Sequence, residues 1–164
     1  MIPDAISSAV RDDDDAAFEA LLSNEDCCFA VDWREEDDEI VRSCETVLRT
    51  DRLSAEWQGE DLFVTFAGKR VQVPLTGTPA DRHLTLLALN QALSPEFEVR
   101  MLYASVGSDT GVFVPLRAEA WTLLEQEAPD VVARRFHKLT QTPNTFTDVV
   151  PVPSKPRRRW WEFW

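Results

Sequence analysis

Apolar positions recur along this chain in two rhythms, and the changes between them mark out its elements. Residues 4–23 read as helix, with Asp15 capping a turn that brings Phe18, Leu21 and Leu22 onto one face. Phe29, Val31 and Trp33 alternate with Ala30 and Asp32, which predicts a short strand. Between Glu35 and Leu48 the period returns to 3.6: Ile40, Val41, Cys44, Val47 and Leu48 form one stripe. Three alternating runs follow, on Leu53/Ala55/Trp57, Leu62/Val64/Phe66 and Val71/Val73/Leu75. Gln58-Gly59 and Gly68-Lys69 separate them, so a meander is expected.

A helix capped by Asp81 or Thr78 should then run to about Leu93, apolar on most sides and therefore buried on the sheet. Ser94-Pro95 ends it. Phe97–Val106 and Val112–Leu116 predict a hairpin about Gly107-Ser108-Asp109. Helices are expected at 118–127 and 130–138. No period repeats along the chain. The order α, β, α, βββ, α, ββ, αα predicts an α+β fold, with an antiparallel sheet of about five strands packed on helices. A single domain is expected over 1–140. Residues 141–164 should form an extended, Pro-containing linker and a flexible tail, Arg157-Arg158-Arg159-Trp160-Trp161-Glu162-Phe163-Trp164.

Charge changes this picture most. Residues 1–60 carry 18 Asp/Glu against 5 Arg and no Lys, a net of −13, whereas the remaining 104 residues net +1. Such a field repels nucleic acid and anionic lipid and attracts a basic protein surface. Glu35–Asp38 also suit the positive end of a helix dipole, so that run has a structural reason as well. Asp32, Trp33, Glu35, Glu36, Asp37, Asp38 and Glu39 place an aromatic among carboxylates and are the candidate partner-binding residues. In the tail, Arg157, Arg158, Arg159, Trp160, Trp161 and Trp164 are expected to dock, on a partner or back on the chain, rather than on a membrane.

Catalytic and metal motifs are incomplete. Asp109-Thr110-Gly111 matches the aspartic protease triplet, but that chemistry needs a second carboxylate about 3 Å away, and a polar hairpin turn explains the same residues. His83 reads as a capping or packing residue, and His137 as the C-terminus of a helix. Asp12–Asp15 lack the spacing and glycine of a calcium loop. Cys27, Cys28 and Cys44 form neither a zinc set nor a closed disulfide framework and read as reduced thiols. No cofactor, no metal and no catalytic residue is expected, nor a secretory signal or an 18-residue apolar run.

A small, strongly acidic α+β domain of this kind resembles the immunity proteins that bacteria carry against interbacterial toxins. The resemblance implies a cytoplasmic, non-catalytic inhibitor that occludes a cognate toxin, many such toxins being basic nucleases. The order α-βββ-α-ββ-α and the helix containing Leu86-Leu87-Ala88-Leu89-Asn90 look like type III secretion chaperones, which dimerise and hold unfolded effectors. The N-terminal strand-helix pair and the Arg/Trp tail depart from that family. Monomer and homodimer both remain open, as do the inhibitor and chaperone readings.

Overall fold

The computed structural model describes residues 1–155. Helix α1 (Asp4–Asp12) buries Ile6, Ala9 and Val10, and α2 (Asp15–Leu21) buries Phe18 and Leu21. The single helix expected over 4–23 is thus two. Asp13 takes a left-handed conformation (φ 45°), which Asp tolerates better than most residues. Asp14, rather than Asp15, caps α2 by accepting from the Ala16 N–H.

Strand β1 (Phe29–Asp32), helix α3 (Asp37–Leu48), and strands β2 (Leu53–Gln58) and β3 (Asp61–Phe66) follow closely where the alternation places them, while β4 (Lys69–Gln72) ends before Val73 and Leu75 of its expected run. The β3–β4 turn has positive φ at both Ala67 and Gly68, the geometry that suits a two-residue hairpin. Helix α4 (Asp81–Leu93) leads into strand β5 (Phe97–Leu102), a 3-10 turn (Tyr103–Ser105) and strand β6 (Thr110–Arg117). Helices α5 (Ala118–Glu127) and α6 (Pro129–Arg135) and strand β7 (Phe136–Lys138) complete the order. His137 lies in a strand, not at a helix C-terminus: residues 136–138 pair with 100–102 along the free edge of β5.

The fold is α+β and antiparallel throughout, but its strands form two sheets rather than one. The meander closes on itself as β2-β3-β4, and the hairpin gains a strand at each edge to give β1-β6-β5-β7. Both sheets pack on α4, which buries Leu86, Leu89 and Leu93 in the core they share. That core takes Phe29, Val31, Val99, Met101 and Phe113 from the larger sheet and Leu62, Val64 and Phe66 from β3. The other face of the larger sheet presents Val112, Val114 and Leu116 to Trp121, Phe136, Ile6 and Phe18. Being covered on both faces explains why β6 reads as a nearly continuous apolar run. Its Pro115 pairs with Val99 of β5 at a position beyond the end of β1, so the missing N–H breaks no ladder.

The packed chain runs past residue 140 to Val150, which is buried. Phe146 stacks on Phe113 with centroids 6.3 Å apart, and the Asn144 amide donates to the Ala80 carbonyl at the start of α4. His83 of α4 is fully buried and fastens this strap. Its Nε2–H donates to the Thr140 carbonyl (2.7 Å), and its Nδ1 accepts from the Thr145 N–H. His83 is therefore a packing residue, and within 141–150 Phe146 and Val150 pack on the fold, so this stretch is a surface strap instead of a free linker. Among the described residues no helix is long and apolar enough to cross a membrane.

Candidate functional site

The acidic segment after β1 turns largely inward. Asp37 is buried in the first turn of α3, where Oδ1 accepts from the Thr85 hydroxyl (2.8 Å) and Oδ2 from Arg82 Nη1 (3.2 Å). Burial raises its pKa against the opposing pull of Thr85 and Arg82. Asp38 is nearly buried and pairs with Arg42 (2.8 Å), which also binds Glu39. Glu35 is half-buried and accepts from the Asp32 N–H; burial raises its pKa as well. Asp32 holds Arg34 through the backbone N–H (2.8 Å) and the guanidinium, and these bonds lower its pKa. Glu36 is exposed at the α3 N-terminus. Of the seven predicted partner-binding residues, Trp33, Glu36 and Glu39 are exposed, and Glu39 already holds Arg42.

The run Asp12–Asp15 is similarly engaged. Asp13 accepts from Arg134 (2.8 Å) and from Arg135 (3.0 Å), and Asp15 accepts from Arg135. Burial opposes ionisation of Asp13, but the two guanidinium groups outweigh it and hold its pKa below the usual range. Lys155 approaches Asp15 at 3.6 Å. Two of the 18 acids counted in residues 1–60, Asp13 and Asp15, are thus paired with basic residues of the last third. The predicted tail residues from Arg157 to Trp164 lie outside the described residues.

What remains open to solvent is aromatic. Trp33 is 44% exposed, immediately after β1, where its N–H donates to the Asp109 carbonyl (3.3 Å). It separates two clefts. One, of about 440 Å³, is walled by the 106–109 turn and by Phe146, Asp148, Val149 and Val150 of the strap. The other, of about 820 Å³, lies between Trp33 and Trp57 and is lined by Arg34, Glu60, Leu75, Pro79 and Arg82. Trp57, 40% exposed, was not among the expected site residues: alternation with Leu53 points it inward. Leu53 is buried, but the opposite end of this edge strand is not. No feature of the sequence marks where that cover stops.

Asp109 is exposed in the turn before β6, whereas a protease dyad needs a buried, hydrogen-bonded carboxylate pair. Gly111 is required by packing, since a Cβ there would lie 2.9 Å from the Phe113 ring. Asp81 does not cap its own helix. It accepts from the Thr76 N–H, the Thr76 hydroxyl and the Gly77 N–H, fixing the loop along the larger cleft. Cys27 and Cys28 are buried with their sulfurs 3.7 Å apart. The contact with Cys27, together with burial, pushes the Cys28 thiol up, and burial does the same to Cys44. Among the described residues no group of three or more His, Cys, Asp or Glu could hold a metal ion. Compared with known families, curated proteins and solved structures, the chain matches none.

Proposed function

We propose that this chain is a non-catalytic protein-binding protein, an immunity protein that neutralises a cognate toxin in the cytoplasm. One observation carries the reading: Trp33, in the turn after β1, and Trp57, in β2, are both exposed and line the same cleft. Rigid, half-solvated tryptophans around a concavity are the usual composition of a binding hot spot. Glu36, Glu56 and Glu60 are exposed on the two segments that carry them and supply negative charge for steering a basic partner. Three unpaired cysteines fit a reducing compartment.

The test is co-expression with a toxin encoded beside this gene in its native host. The chain should restore growth. Trp33→Ala with Trp57→Ala should abolish protection while leaving thermal unfolding nearly unchanged, because both side chains are already partly in water. Full protection by the double variant would sink the hot spot. Failure of the unaltered chain to protect would sink the immunity reading. The second reading, a secretion chaperone, is supported by the order α3-βββ-α4-ββ-α5; binding to an unfolded effector segment would distinguish it.

A further inference from the structure

We propose that the smaller cleft beside Trp33 is a socket for one arginine side chain of the partner protein. This rests on the proposed function, and it concerns a different wall of Trp33 from the one shared with Trp57. The two clefts differ in charge. The larger is lined by two bases, Arg34 and Arg82, together with three acids, Asp37, Glu60 and Asp81, whereas the smaller is lined by two acids, Asp109 and Asp148, and no basic residue.

The construction fits a long cationic side chain. The inner lining is apolar, with Met101 and Val150 buried and Val106 and Phe146 half-buried. At about 440 Å³ the cleft is at the small end of ligand pockets. Its exposed lining includes Trp33, Asp109 and Asp148, and the chain's own Arg34 already lies over the Trp33 ring, 5.4 Å from its centroid. Asp148 Oδ2 accepts from the Asn144 N–H (2.7 Å), which holds the carboxylate in place and leaves Oδ1 for a ligand. The Trp33 N–H bond to Asp109 ties the aromatic wall to the acidic turn.

An uncharged apolar guest would cover two carboxylates without pairing them, which is unfavourable. A lysine ammonium would be a point charge between them. A guanidinium has five donors in a planar fork, so it can pair with a carboxylate and lie against an indole while its methylenes contact the apolar lining. Arginine is therefore the side chain that matches both the apolar lining and the acids of the cleft.

The experiment is a ¹H–¹⁵N titration of the full chain with the peptide acetyl-Gly-Arg-Gly-amide, and with the same peptide carrying citrulline. The arginine peptide should give saturable shifts at the Trp33 indole and at the Gly107 and Gly111 amides, and citrulline should not. Asp109→Asn and Asp148→Asn should each weaken binding about tenfold, the loss of one charge-assisted hydrogen bond. Equal shifts from citrulline, or none at these positions with arginine, would overturn the socket. Binding seen only after Arg157, Arg158 and Arg159 are replaced by Ser would overturn the partner assignment in favour of this chain's own C-terminal segment. Peptide binding by a chain that protects against no toxin would retain the socket and remove the immunity reading. Protection without peptide binding would do the reverse.

Discussion

Asp37 offers the sharpest test of whether the acidic run serves the fold or a partner. Replacing it with Ala leaves the Thr85 hydroxyl, fully buried, without its acceptor, and removes the carboxylate from Arg82, whose side chain is 18% exposed. An unsatisfied buried hydroxyl costs about 1–3 kcal/mol, and stranding a buried charge more; Arg82 can reach water, so the sum is about 3 kcal/mol. For a chain of this size that lowers Tm by roughly 6–12 °C. Asp37→Asn behaves differently. Burial raises the Asp37 pKa, so folding makes its charge less favourable than in water, and Asn keeps an acceptor for Thr85. Its expected cost is about 1 kcal/mol. The sign of the pH dependence follows. With its folded pKa above the unfolded value of 3.8, Asp37 binds protons more tightly when folded. Stability of the unaltered protein relative to Asp37→Asn should therefore decline as pH rises from 3.8 through the raised folded pKa. Urea unfolding followed by tryptophan fluorescence measures both variants. Equal loss in Asn and Ala would mean that the ion pair with Arg82 dominates, and no loss in Ala would refute the structural role.

Asp13→Ala should cost about 2 kcal/mol in the same assay, because Arg134 and Arg135, both largely buried, share that carboxylate; an unchanged midpoint would show those pairs to be incidental. Gly111→Ala drives a Cβ against the buried Phe113 ring and should cost about 1–3 kcal/mol, whereas Asp109→Asn two residues away should leave Tm unchanged. His83 and His137 have pKa values lowered by burial from 6.5, so the unfolded chain takes up protons first. Stability should be level above pH 7 and decline as pH falls below 6.5, with a shallower slope in His83→Gln; a flat profile between pH 6.5 and 5 would contradict the buried neutral imidazole.

The meander, the hairpin and α4 were legible because period-two alternation, turn residues and all-round apolarity are local signals. The break between α1 and α2 was not, since the carboxylate of the left-handed Asp13 is held by Arg134 and Arg135, more than a hundred residues away. Phe136–Lys138 looked helical because β7 exists only where β5 offers an unpaired edge. The strap carries no period; His83, Asn144 and Phe146 hold it through individual contacts. Charge counting located the acids but could not reveal which bases the fold brings to them. Trp33 was found by its acidic neighbours. Trp57 was missed because alternation gives the parity of a strand and not the extent of its cover.

The larger sheet joins distant parts of the chain: Phe29 of β1 pairs with Phe113 of β6, and the faces of α1 and α2 meet Trp121 and Phe136. During synthesis the N-terminal third is thus exposed on the order of ten seconds before its covering strands emerge. Its apolar side chains are then an aggregation hazard, but its net of −13 makes neighbouring nascent chains repel one another. Arg134 and Arg135, which pair with Asp13 and Asp15, are synthesised more than a hundred residues after them. Of the 18 acids in residues 1–60, only Asp13 and Asp15 wait for these late-arriving bases.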